Sequence, residues 1–428
     1  MDSMKDSKNK KILIVCQHFW PETFRISDIA EGLVEQGYKV DVLCGIPNYP
    51  AGKFFKGYGL FENRRQVHKD INIIRVPEIP RGNNSNFRIL TNYVSFPFFA
   101  LFYLPMLAGK KYDRIMVYSL SPVFMAFPAI VLAKLKKIKL YIYVMDFWPH
   151  SLFSIINFKN KSIRSAVTKM SYWHYRQADG LLGVYKGIQT RLVDEVGIDE
   201  EKTLYVPQAP EKIYEHDAFD KKLAQRFKGK FNIVFAGNIN PAQCFDIILP
   251  AIKKVYDDGF HDFNFIVLGE GMSKKWVVEE VHRLGLDDNF VFEGLLPVEE
   301  VPKYHTIADV LILALSRSPL FEYATPAKIQ SYLAAGRPIV AAMDGEGKRI
   351  VNESGSGICV DSGDTEGLYR AFKKIMDIPK SEREKMGKNG RKYHFKYYER
   401  NYNLGRLIDF VFNDKRVPDA EYKDNKKP

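Results

Sequence analysis

EYATPAKIQSYLAAGRPIVAAMDGEG, residues 322–347, decides the fold when it is read with FNIVFAGNINPAQCF at 231–245. In the latter an apolar run, FNIVF, ends in a small-residue turn, AGN. In the former, KIQSYLAAG is a short amphipathic helix closed by Gly336 and followed by the strand-like PIVAA. A strand running into a glycine turn at a helix N-terminus is where α/β proteins hold phosphate, because unpaired amides and the helix dipole both favour an anion there. Both stretches lie in the same half of the chain. Together they imply a nucleoside-diphosphate clamp at the C-terminal edge of a parallel sheet.

Working outward, strand signals recur as KILIV (11–15), KVDVL (39–43), NIIRV (72–76), RIMVY (114–118), LYIYV (140–144), GLLGV (180–184) and TLYVP (203–207). Helical patterns separate several of them, including SDIAEGLVEQG (27–37) and SIRSAVTKMSYWHYRQA (162–178). In the second of these, Met170, Tyr172 and Trp173 fall at packing positions. Strands alternating with helices predict a parallel sheet covered on both faces. The charged, strand-free segment 208–230 reads as a linker. Alternation then restarts with NIVFAG (232–237), NFIVLG (264–269), NFVFEG (289–294), VLILAL (310–315), PIVAAM (338–343) and GICV (357–360). The predicted organisation is a doubly wound, Rossmann-like domain at 1–207 and a Rossmann-like nucleotide domain at 231–385. Helices at 386–413 and a disordered polar tail at 414–428 follow. Ligands are expected in a cleft at the strands' C-terminal edges.

The 428 residues carry 46% apolar side chains and a net charge of +12, a globular composition with a basic excess that calls for an anionic partner. Zinc-ligand spacing and Gly-aromatic RNA-binding runs are absent, so a lipid surface and a phosphorylated substrate are favoured over nucleic acid. Cys16, Cys44, Cys244 and Cys359 form no CxxC and read as reduced thiols of a cytoplasmic protein. The polar start MDSMKDSKNK reads as no signal peptide. Residues 89–109, ILTNYVSFPFFALFYLPMLAG, are long enough to span a bilayer, but Pro97, Pro105, Thr91, Asn92 and Ser95 favour a core helix with aromatic faces able to touch a membrane surface.

AGN…Q, LGEG (268–271), VFEGLLPVEEVPKYHTIADVLIL (291–313) and PAKIQSYLAAGRPIV (326–340) resemble, in this order, the C-terminal half of glycosyltransferase family 4. HFWPETFRISDIAEGL (18–33), GIPNYPAGKFFKGYG (45–59), SLSPVFMAFPAI (119–130) and DFWPHSL (146–152) resemble its N-terminal half, in the branch that builds bacterial O-antigen and capsule repeats. The resemblance covers roughly 10–410. It implies the GT-B fold, with two doubly wound Rossmann-like domains and a last helix crossing back to the first. It further implies retaining transfer from a nucleotide sugar, expected to be UDP-linked, to a polyprenyl-diphosphate-linked saccharide at the anionic inner membrane surface.

By that resemblance, Gly237 and Asn238 offer amides to the donor diphosphate. Most relatives have Arg at the position of Asn238 and Lys at that of Gln243, and both cations are missing here. Lys328 is the best remaining cation, with Lys274, Lys275 and Arg317 in reserve. The family's glutamate pair falls on Tyr323, beside Glu322, and on Ser331, and Glu346 is a candidate substitute. Thr325 and Pro326, at the helix entry, join the donor set. The turns holding Gly269, Glu270 and Gly271, and Gly294 and Leu295, allow a nucleobase or ribose to approach the backbone. On the acceptor side stand Glu22, Pro47, Asn48, Tyr49 and Trp148, with Arg25 and Asp146 joining Lys328 as catalytic candidates. Positioning and charge stabilisation suffice for such a transfer, so no cofactor is expected. No DxD motif appears at a strand end, and no metal is expected. A non-catalytic GT-B partner subunit of another transferase, and a nucleotide-sugar epimerase using His18 or His150, remain as alternatives.

Overall fold

The computed structural model describes residues 10–82, 86–155, 160–210, 212–216, 218–318 and 322–417. The chain divides into two compact units, Met1–Gln208 with Asn401–Pro428, and Ala209–Arg400.

The first unit is built on β1 (Lys11–Val15), β2 (Lys39–Cys44), β3 (Arg65–His68), β4 (Ile71–Arg75), β5 (Arg114–Ser119), β6 (Lys139–Val144), β7 (Gly180–Gly183) and β8 (Thr203–Tyr205), ordered β3-β4-β2-β1-β5-β6-β7-β8. Apolar runs such as KILIV and KLYIYV fill its centre because helices cover both faces. The all-parallel expectation needs one correction. β3, RQVH, pairs antiparallel with β4 through a two-residue turn at Lys69 and Asp70, both at positive φ (46° and 61°). That turn geometry matches the twist of a hairpin. Within the sheet, Asp41 is fully buried and accepts from Lys11 (2.9 Å), Lys110 (3.0 Å), Tyr112 (2.8 Å) and Asn72 (3.0 Å). Burial alone would raise this carboxyl, yet the four donors hold it below its ordinary value.

The uncharged 89–109 stretch lies in two helices, Asn86–Leu101 and Leu104–Ala108. Only one face of the longer helix enters the core, through Asn92, Ser95, Phe96 and Ala100. No described helix is long and apolar enough to cross a membrane. Trp173, expected to pack, is 40% exposed, with its ring set against His174 and under the Lys134 ammonium.

The second unit has a wholly parallel sheet of β9 (Phe231–Ala236), β10 (Phe263–Leu268), β11 (Phe290–Gly294), β12 (Val310–Ala314), β13 (Ile339–Ala342) and β14 (Gly357–Val360), ordered β11-β10-β9-β12-β13-β14. Strand order reverses at β9/β12 here and at β1/β5 in the first unit, the switch points where loops diverge and ligands lodge. The segment expected as a linker carries the helix Lys221–Arg226, started by the Asp220 side chain. Helix Lys380–Tyr397 stays in the second unit, because Gly387 lets it press onto Gly336 and Arg337, where a β-carbon would crowd the backbone. Helix Arg400–Asn413 belongs to the first unit. There Phe412 stacks on Tyr38 (4.2 Å), Phe410 packs on Tyr141, and Arg114 donates to the Val411 carbonyl (2.7 Å). The tail keeps its described start through Arg416, paired to Glu200 (2.8 Å), and its expected disorder at 418–428 lies outside the described residues.

Candidate functional site

In the second unit, three consecutive strand-end turns are tied edge to edge. Gly237 N–H donates to the Leu268 carbonyl (2.8 Å), Ile239 N–H to Glu270 (2.9 Å) and Gly269 N–H to Gly294 (2.7 Å). Gly269 sits at φ +139°, and any β-carbon there would run into the Gly237 carbonyl, so the turns close only with glycine. Across the switch point, Ser316 N–H donates to the Ala242 carbonyl (3.0 Å), joining the loop after β12 to the loop after β9.

Lys328, in the first turn of helix Ala327–Ala335, reaches into this corner. Its Nζ donates to the Gln243 amide oxygen and lies 4.1 Å from the Phe235 ring centroid. A β-carbon on Gly237 would stand 2.6 Å from that Nζ. Among the described residues no carboxylate faces it, and burial lowers its pKa to about 7. The side chain therefore stands where sequence comparison missed a cation. Gln243, the residue replacing the family's lysine, is its hydrogen-bond partner, and Phe235 is a contact that no motif signalled. Thr325, just before the helix, is buried with its hydroxyl unpartnered among the described residues.

The other donor candidates differ in what they have left to offer. Glu346 is held by Arg349 through two bonds (2.6 and 2.8 Å), so its carboxylate is engaged, while its N–H donates to the Glu322 carbonyl (3.1 Å). Glu322 is exposed, and Leu295 projects into solvent. Ser331 is buried in the helix between Gln330 and Tyr332. Asn238 lies at the turn with its Oδ1 close to Gly271, and Pro326 caps the helix in an extended conformation. Of the reserve cations, Lys274 pairs with Glu270 (2.5 Å), Lys275 with Glu279 (3.8 Å) and Arg317 with Asp344 (3.1 Å).

In the first unit, loops after β1 and β2 meet on Glu22. Its buried Oε1 accepts from the amides of Asn48 (2.9 Å) and Tyr49 (2.7 Å), and His18 Nδ1 lies 3.1 Å from both carboxylate oxygens. The His18 ring stacks on Phe24 (4.9 Å) and leans on Tyr49 (5.5 Å). Behind it, Asn48 donates to Glu78 (2.5 Å), and Gln17 donates to Glu78 (3.1 Å) and Asn92 (2.9 Å). Burial pushes the Glu78 carboxyl well up, and the Gln17 and Asn48 amides offset part of the rise. Arg81 donates to Asn92 (3.2 Å) and lies over the rings of Tyr49 (5.2 Å) and Tyr93 (5.3 Å). Arg81, Tyr93 and Glu78 were not foreseen: they come from the loop after β4 and the helix beyond it, where no local pattern marks them.

Asp146, after β6, accepts from the N–H (3.2 Å) and hydroxyl (3.0 Å) of Ser121, and that hydroxyl also receives Trp148 Nε1 (2.9 Å). Burial raises the Asp146 carboxyl, and the Ser121 bonds offset part of the rise. Trp148 is buried, its N–H donating to Tyr175 (2.9 Å). Arg25 precedes helix Ile26–Glu35 at the switch point, close enough to Tyr118 and Tyr143 to act on both electrostatically. Sequence reasoning thus named both clusters, and the structure draws Glu22, Asn48 and Tyr49 into one and Gly237, Gln243 and Lys328 into the other.

Two family models match the two units in turn: the glycosyl transferase 4-like domain over residues 23–209, and glycosyl transferases group 1 over 217–393. The chain carries the two domains of a GT-B glycosyltransferase. The 2-deoxystreptamine glucosyltransferase of Streptomyces kanamyceticus is 29% identical to it over 219 residues, 50% of this chain and 55% of that protein. This glycosyltransferase therefore spans about half the length of that curated relative. Among solved structures, Anabaena HepE in complex with UDP matches with a TM-score of 0.68 at 15% identity, covering 94% of this chain and 99% of that one. An Escherichia coli trehalose-6-phosphate structure bound with UDP-2-fluoro glucose matches with a TM-score of 0.71 at 12% identity, covering 96% and 100%. At such identities the likeness is one of fold, and it places this glycosyltransferase in GT-B.

Proposed function

We propose that this glycosyltransferase moves a sugar, with retention, from a UDP-sugar held by the second unit to a polyprenyl-diphosphate-linked saccharide held by the first, in surface polysaccharide synthesis at the inner face of the cell membrane. The observation that carries the donor half is Lys328, an ammonium with no facing carboxylate among the described residues, at the β9/β12 switch point and a helix N-terminus. An anion completes that arrangement: the diphosphate supplies the missing charge and the Thr325 hydroxyl is suited to its oxygens, whereas the Gly237 amide expected to join them is already given to the Leu268 carbonyl. The UDP ligands of the two structural neighbours support the choice of base.

In the proposed reaction the bond from the anomeric carbon to the β-phosphate oxygen breaks, and an acceptor hydroxyl bonds to the same face of the sugar. Its proton passes to the departing phosphate. Lys328 stabilises charge growing on that phosphate, while Arg25 and Asp146 of the first unit bind and orient the acceptor. We propose no role for a metal or other cofactor. The aminoglycoside relative makes a soluble aminocyclitol the competing acceptor.

Thermal-shift binding of UDP, GDP, ADP, CMP and dTDP, with Lys328→Ala as control, tests the donor. Stabilisation by UDP that the variant loses is expected. No shift with any nucleotide would favour a non-catalytic partner subunit. Transfer from the UDP-sugar to a short-chain polyprenyl-diphosphate saccharide, set against 2-deoxystreptamine, then decides the acceptor.

A further inference from the structure

We infer that the helical layer formed by Asn86–Leu101, Leu104–Ala108 and Phe127–Lys136 is the surface by which the first unit seats on an anionic lipid bilayer. This deepens the lipid-linked acceptor reading and rests on it only for its biological purpose. Leu90 (56% exposed), Val94 (48%), Phe98 (53%) and Phe102 (68%) follow one another every four residues and project outward along one side of the layer. The Phe98 and Phe102 rings meet edge to face at 5.4 Å, so the stripe is a packed aromatic ridge. Phe127 and Leu135 of the adjoining helix are exposed too, and that helix is tied in by Lys136 donating to the Ala108 carbonyl (2.7 Å). An apolar ridge of this extent in water marks an interaction site.

Charge selects the occupant. Residues 79–112 and 114–145 contain no Asp or Glu, while Arg81, Arg88, Lys110, Lys111, Arg114, Lys134, Lys136, Lys137 and Lys139 lie within them. Of these, Lys110 pairs with Asp41, and Arg114 and Lys139 pair with Asp414, which leaves Lys111, Lys134 and Lys137 as exposed cations on or beside the helices of this layer. An apolar ridge flanked by exposed cations fits acyl chains beside anionic headgroups. A second copy of the same face would set like charges against each other. No described helix can cross the bilayer, so the layer lies on it.

The helix has a second duty on its other face. Asn92 donates to the Ile79 carbonyl (2.8 Å) and Ser95 Oγ accepts from the Ile79 N–H (2.9 Å), while Tyr93 faces Arg81. One rigid element therefore joins the ridge to the pocket that holds Arg81 and Tyr49. A diphosphate anchored by its lipid tail would meet that arginine close to the surface.

Co-sedimentation of the full chain with phosphatidylcholine vesicles, with and without phosphatidylglycerol, is the test. Binding is expected only with the anionic lipid, weakening as salt rises. Phe98→Ser with Phe102→Ser, and separately Lys111→Gln with Lys137→Gln, should each weaken it about tenfold or more. Far-UV circular dichroism and the urea midpoint of the first unit should stay unchanged in both variants, which shows that they fold. Wild-type protein left in the supernatant, variants that sediment like wild type, or a dimer that the Phe98→Ser change dissociates would each overturn the proposal. Vesicle binding without transfer to the lipid-linked saccharide would leave the surface standing and sink the acceptor reading. Transfer without vesicle binding would do the reverse.

Discussion

At the first unit's edge, Glu22 accepts from two backbone amides and faces His18, and Glu78 receives two side-chain amides behind it. At the second unit's edge, Lys328 has an amide oxygen and an aromatic face but no opposing charge among the described residues. The first edge pairs its carboxylates internally, yet leaves Gln17 Oε1, His18 Nε2 and Asn48 Oδ1 buried without a hydrogen-bond partner among the described residues. The second holds a half-buried cation with no counter-ion among the described residues, and its desolvation favours loss of the proton. The contrast suggests a division of labour. Acceptor recognition would rest on a preformed pocket, whereas donor recognition would rest on an electrostatic deficit that a diphosphate fills.

The sharpest way to break this comparison is Lys328→Met. Turnover should fall roughly 100- to 1,000-fold, as when one preorganised donor is lost. The urea midpoint should hold or rise, because the folded state no longer buries a charge. A falling midpoint together with retained UDP binding would show that the lysine is structural. Glu22→Ala should behave in the opposite sense, leaving two amides and His18 without their acceptor. A stability loss on the order of 3 kcal/mol by urea denaturation is expected. Glu22→Gln should recover part of it, and UDP-induced stabilisation should survive in both.

Gly269→Ala forces an L side chain to φ +139° against the Gly237 carbonyl. It should destabilise the second unit by roughly 1–3 kcal/mol and weaken UDP binding measurably by calorimetry. Titration separates the edges next. The ammonium form of Lys328 binds the diphosphate, so UDP affinity should decline as pH rises above about 7, by at most about tenfold per pH unit. Asp41 has the opposite sense. Its folded pKa is depressed, so its contribution is present above the unfolded value and is lost as pH falls through the depressed one. Asp41→Asn should flatten that acid limb in urea melts recorded at stepped pH. The smallest effect is expected from EDTA, which should leave the transfer rate unchanged. A rate lost to EDTA and restored by magnesium would replace the charge scheme with a metal-based one.

Most strands were legible because a sheet covered on both faces demands apolar runs, and KILIV, FNIVF and VLILA supply them. β3 was not, since RQVH is short, charged and at the sheet edge, where nothing requires an apolar run. Lys328 was legible from the helix it opens, but its lodging between Gln243 and Phe235 depends on two loops meeting across the sheet. Arg81, Tyr93 and Glu78 were invisible for the same reason: each owes its place to packing between distant segments. The 89–109 stretch was legible as helix of the first unit from its prolines and from Thr91, Asn92 and Ser95, but which face is left in water only burial shows.

The helix Arg400–Asn413 places the last lid on the first unit after the chain has passed through the whole of the second. During synthesis, Tyr38, Arg114 and Tyr141 therefore wait for their partners until nearly every other residue has been made. The first unit would be the earlier to begin folding and the later to finish, with an apolar seam open meanwhile to chaperones. Ribosome-bound chains arrested before residue 400 should show that seam as protease-sensitive, while the second unit already resists.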